Sequence, residues 1–115
     1  MTTDQNPAQL RTLRRKSGFS QKELAQILGF LSGAPVSRHE SSHAIPDLLT
    51  ALGYQAIFRV PISELFPELY QTVAAGIEER LARMVDELHE STAKGREAAL
   101  TALKLEFCWE RKNPE

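Results

Sequence analysis

Apolar residues recur three and four positions apart along most of this chain, and small polar clusters interrupt them where helices should end. Leu10 and Leu13 give the inward stripe of a first helix over Pro7–Lys16, with Asn6 as cap, Pro7 at the first helical position and Gly18 ending it. Residues 1–6 read as a polar arm that frays. The run Ser20, Gln21, Lys22, Glu23 is a capping-box start, in which the Ser hydroxyl accepts from the backbone three residues on and the Glu reaches back. Leu24, Ala25, Ile27 and Leu28 follow at helical spacing, and Gly29 can leave the helix through positive φ, so the second helix runs only from Gln21 to Gly29. A short run over Val36–Ser41 comes next, with Ser32 or Gly33 as its cap and Pro35 tolerable in the first turn.

Pro46 and Asp47 open a fourth helix, with Asp47 as N-cap, carrying Leu48, Leu49, Leu52, Ile57 and Phe58. Gly53 inside it costs about 1 kcal/mol relative to Ala. After a turn at residues 59–61, Ile62–Phe66 forms a fifth short helix whose Leu65 and Phe66 cap the core. Two helices as short as the second and third persist only when packed on something else. Leu13, Leu24, Ile27, Leu28, Val36, Leu52 and Phe58 are the expected core of a compact five-helix domain over residues 1–66.

Residues 67–115 have no place in that core. Leu69, Val73, Ile77, Leu81, Met84 and Leu88 mark a long amphipathic helix, with charges mainly opposite. The pattern lapses at Ser91–Gly95 and resumes with Ala99, Leu100, Leu103, Phe107 and Cys108, beside Trp109. Either a helical hairpin or one continuous helix fits, since only Gly95 opposes continuity. Neither arrangement buries its stripes alone, so this region needs a partner surface, with a second copy favoured. The fold class is therefore all-α.

Composition changes this picture little. The 115 residues are 42% hydrophobic and 25% charged, as in ordinary globular chains. No secretory leader or run of about 18 apolar residues is present, which leaves the cytoplasm as the expected location and no membrane partner. Charge matters through its distribution. Residues 1–66 carry seven Lys/Arg against five acids, whereas residues 67–115 carry seven against ten. A weakly basic first half implies affinity from a few placed contacts and from pairing of copies rather than from a broad basic surface.

Fourteen positions in order, Leu13, Arg14, Gly18, Ser20, Gln21, Glu23, Leu24, Ala25, Leu28, Gly29, Ser37, Arg38, Glu40 and Pro46, resemble the Cro/C1-type (Xre-like) helix-turn-helix family of DNA-binding regulators. The resemblance covers about residues 10–66 and implies a lambda-repressor-like domain with a recognition helix over about Ala34–Ser42. It also implies an ion pair between Arg14 and Glu40 that clamps the first and third helices. Ser42 stands where the family usually has Gly, which implies a longer recognition helix or a left-handed turn on a residue with a Cβ. The connection before the recognition helix is one residue longer than usual, with Phe30 and Leu31 both apolar. His39 occupies a place usually apolar and is expected to be a satisfied core residue.

Counting back from Glu40, the resemblance places Gly33, Ala34, Ser37 and Arg38 at base edges. Arg38 is the one strong reader, able to hold guanine O6 and N7 with two hydrogen bonds. Gln21 is the expected phosphate anchor, with Ser41, Ser42 and His43 as further backbone contacts. The implied function is sequence-specific binding of double-stranded DNA by a homodimeric transcriptional regulator, with repression as the expected sense. The alternative is an antitoxin or adaptor whose C-terminal helices hold another protein, such as a toxin, with Phe107 and Trp109 as anchors. Enzymatic activity is not expected: Cys108 lies on an apolar stripe with no His near it in sequence, and there is no Gly-rich phosphate loop. A lone Cys and three scattered histidines, His39, His43 and His89, make no metal-ligand pattern, and no cofactor is implied.

Overall fold

The computed structural model describes residues 6–114, and among them every regular element is helical. The elements are α1 (Asn6–Lys16), α2 (Gln21–Leu28), α3 (Ala34–Glu40), α4 (Leu48–Phe58), α5 (Ile62–Leu65), α6 (Pro67–His89) and α7 (Arg96–Lys112). The chain divides into two units, the first ending at Thr72 and the second beginning at Val73, inside α6. The expected N-terminal arm lies almost wholly outside the described residues. Among those residues no helix is long and apolar enough to cross a membrane.

Local chemistry fixes the helix ends in the first unit. Ser20 Oγ accepts from the Glu23 N–H at 3.0 Å, and the Glu23 carboxylate accepts from the Ser20 N–H at 2.9 Å. At the other end of α2, Gly29 is left-handed with φ 95, and the Phe30 N–H reaches back to the Ala25 carbonyl at 2.8 Å. Asp47 Oδ1 caps α4 through the Thr50 N–H at 2.8 Å. The same helix ends on Arg59 at φ 59, a left-handed turn without a glycine. That conformation costs roughly 1 kcal/mol, and the Arg59 N–H still satisfies the Gln55 carbonyl at 2.8 Å.

The core gathers Leu10, Leu24, Ala25, Val36, Tyr54, Leu65 and Phe66, with Leu13, Phe19, Leu28, Phe30, Ile57, Phe58, Val60 and Ile62 packed around it. It differs from the expected set in three places. Tyr54 is the largest fully buried side chain, whereas Ile27 is 52% exposed and Leu52 43% exposed. For Tyr54 and Leu52 the reason lies in α4, whose sequence LLTALGYQAIF is apolar on nearly every side, so periodicity cannot choose its inward face. Packing chooses it instead. A Cβ on Gly53 would stand 2.6 Å from Leu28 Cδ2, so glycine leaves room for the Leu28 side chain against α4.

In the second unit, Gly95 at φ 63 belongs to a break after α6 that reverses the chain, and Arg111 near the end of α7 returns to Glu78 at 2.7 Å. The hairpin therefore forms, not the continuous helix. Leu81, Val85 and Leu88 of α6 and Thr101, Leu105 and Cys108 of α7 are half-buried positions of the two helices. Several of them line a groove of about 530 Å³ that includes Trp109. Among the described residues, no side chain of α6 or α7 is buried.

Candidate nucleic-acid interface

The third helix is only seven residues long, with no side-chain hydrogen bond at its N-cap Gly33. Such a helix has no independent stability, so its neighbours must set its place. The anchor is Glu40 at its last position, fully buried. Arg14 Nε donates to Glu40 Oε2 at 2.5 Å and Arg14 Nη2 to Oε1 at 3.1 Å, a bidentate pairing of α1 with α3. Gln21 Nε2 adds a bond from α2 to Oε1 at 3.0 Å, and Arg11 Nε stands 3.7 Å from the same oxygen. Arg14 Nη1 also holds the Phe19 carbonyl at 3.0 Å, fixing the α1–α2 connection.

Burial pushes the Glu40 carboxyl up, but hydrogen bonds from Arg14 and Gln21, with the charges of Arg14 and Arg11, outweigh it and hold the group below its ordinary value. The bond to Glu40 likewise raises the Arg14 guanidinium against the opposing effect of burial. One carboxylate thus collects groups from both preceding helices. The Arg14–Glu40 pair implied by the resemblance is present; the contribution of Arg11, one helical turn before Arg14, was legible only as a shared face.

The opposite side of α3 faces outward. Arg38 is exposed, and among the described residues its side chain makes no hydrogen bond or ion pair, while its carbonyl accepts from the His43 N–H at 2.9 Å. Ala34 is exposed at the first position, its N–H 3.3 Å from Ser32 Oγ. Ser37 is half-buried, and its carbonyl accepts from Ser41 Oγ at 3.0 Å. Ser41 and His43 are exposed and joined at 2.6 Å between Oγ and Nδ1. With the Ser41 proton given to Ser37, His43 Nδ1–H donates to Ser41 Oγ.

Two expected sites, Gly33 and Gln21, are committed to contacts between helices, and a third, Ser42, is exposed where α3 ends. Gly33 is half-buried against α2, where a Cβ would lie 3.1 Å from Lys22 N and 3.2 Å from Gln21 C. It is a close-approach residue between α3 and α2. Gln21 spends one side-chain N–H on Glu40, leaving one donor for any further contact. Ser42 adopts φ 64, so of the two implied alternatives the left-handed turn is realised and α3 stops at Glu40. The extra residue of the α2–α3 connection resolves in the same way: Phe30 packs on the core, while Leu31 is 99% exposed.

His39 is buried, as expected for a core residue. Its Nδ1 lies 2.8 Å from the Tyr54 hydroxyl, and the two rings meet edge to face at 5.8 Å. Burial, then the Arg38 charge, hold the imidazole below its ordinary value, with Asp47 opposing. Burial and the Glu40 charge raise the Tyr54 phenol. Tyr54 thus supports α3 from beneath, a role the sequence pattern did not disclose. Among the described residues no cluster of His, Cys, Asp or Glu could hold a metal ion. Comparison of the chain with protein-family models, with curated proteins and with solved structures finds no match, so the reading of this surface rests on its own geometry.

Proposed function

We propose that the chain is a sequence-specific double-stranded DNA-binding transcriptional regulator, a repressor acting as a homodimer, with α1–α5 as a lambda-repressor-like helix-turn-helix domain and α3 as its recognition helix. The observation that carries this reading is the asymmetry of α3. Its inner side is locked by Glu40 to Arg14 and Gln21, while its outer side offers Arg38 with Ala34 and Ser37 beside it. A short helix held that rigidly, yet contributing only Val36, His39 and Glu40 to the interior, is suited to presentation in a major groove. Arg38 takes guanine O6 and N7. The exposed Ser41, Ser42 and His43 and the spare amide N–H of Gln21 lie along the phosphate backbone.

Selection of duplexes from a random pool tests this reading. The wild type enriches a motif containing a guanine, and Arg38→Ala relaxes preference at that base and weakens binding about 10- to 100-fold, the worth of one bidentate base contact. A folded wild type that enriches nothing over competitor DNA defeats the proposal.

A further inference from the structure

Within α7, Leu100 is 41% exposed, Leu103 60% and Phe107 62%, on a helix that buries no side chain of its own. Seven residues make nearly two helical turns, so Arg96, Leu103 and Glu110 fall on one line along α7, with Leu100 and Phe107 flanking it on one side. The line is apolar at its centre and charged at its ends with opposite signs. Among the described residues neither Arg96 nor Glu110 has an ion pair. Each also sits at the wrong end for a lone helix: a cation at the first residue of α7 and an acid in its last turn oppose the helix dipole.

We propose that this ridge is the pairing surface between two copies of the chain, α7 against α7 in antiparallel register about a two-fold axis at Leu103. The occupant follows from the ridge's self-complementarity. With Leu103 on the axis, Leu100 of one copy meets Phe107 of the other, twice, and Arg96 of one meets Glu110 of the other, twice. A two-fold interface requires this reciprocity, and an unrelated partner would not. Antiparallel pairing also sets each misplaced charge beside the opposite end of the other helix. The exposed set on α6, Val73, Ile77 and Met84, lacks this form because Arg80 interrupts it between Ile77 and Met84.

Two Leu100–Phe107 contacts, a Leu103 pair and two ion pairs make a small interface beside the ~800 Å² per partner of a standard one. A free pair of about micromolar strength suffices, because two half-sites on one duplex would hold it by raising the effective concentration. The inference rests on the homodimeric part of the proposed function and not on DNA binding, so it is tested without DNA.

Sedimentation equilibrium of the full chain at about 50 μM gives twice the 12.9 kDa of one copy. Arg96→Glu and Glu110→Arg each weaken pairing at least about tenfold. The double variant R96E/E110R restores it to within about threefold of wild type, and Leu103→Glu leaves a monomer with unchanged helix content. A monomeric wild type would overturn the inference, and so would a dimer indifferent to Leu103→Glu or a double variant that does not recover. Loss of sequence-specific DNA binding with this pattern intact would count against the proposed function alone.

Discussion

Replacing Arg14 with Met tests whether α3 owes its position to Glu40. The apolar stem of Arg14 is retained in size, but the bidentate pair is lost and a fully buried carboxylate loses its main counter-charge. Removing one member of a buried pair costs about 3–5 kcal/mol, and the orphaned Phe19 carbonyl adds roughly 1. Gln21 at 3.0 Å and Arg11 at 3.7 Å remain and return part of this, so the expected loss is about 3 kcal/mol. In a domain of this size that lowers the melting temperature by roughly 12–24 °C.

Urea and thermal unfolding followed by far-ultraviolet dichroism measure the loss, and a pH series identifies its origin. In the wild type, Glu40 is held below its unfolded value, so its contribution is complete above about pH 4.5 and disappears as pH falls through the folded value. In the variant, desolvation without Arg14 raises the carboxyl, which protonates instead. The difference between the two proteins is therefore widest near neutrality and narrows in acid. A loss below about 1 kcal/mol at pH 7, or a difference that does not change with pH, would refute the account of Glu40 as the anchor.

Gly33→Ala should cost about 1–2 kcal/mol and displace the start of α3, because the new methyl meets the Lys22 and Gln21 backbone at 3.1–3.2 Å; denaturation together with DNA affinity reads both effects. Lowering pH below about 6.5 should destabilise the first unit, since burial holds the folded His39 imidazole below its unfolded value and the unfolded chain binds the proton first; a His39→Gln variant should flatten that part of the stability profile. Leu31→Ser should change stability by less than about 0.5 kcal/mol in urea denaturation, because its fully exposed side chain packs on nothing.

Much of the fold was legible because its punctuation is local. Ser20 with Glu23, Gly29 and Asp47 each announce a helix end through a bond formed within a few residues, and all three hold. The inward face of α4 was not legible. Periodicity needs polar residues for contrast, and a segment apolar all round supplies none, so Tyr54 was missed and Leu52 placed inside. The candidate site divides in the same manner. The Arg14–Glu40 pair followed from the resemblance, and Arg38 is exposed. The diversion of Gln21 to Glu40 and the packing of Gly33 on α2 depend on contacts between helices, which residue spacing does not encode.

The shortness of α3 also bears on the order in which structure is lost. Its decisive bond joins residues 26 apart in the chain, whereas α2 closes its own ends within a few residues. Before that long loop is closed, α3 has neither the length nor a side-chain cap to hold itself, so in folding it should follow α1 and α2 and in unfolding precede them. Amide hydrogens of Ser37–Glu40 should exchange with solvent faster than those of Leu24–Leu28 under native conditions. A rise in temperature too small to unfold the domain would then already have released the helix that presents Arg38, and the DNA binding proposed for it would fade before melting begins.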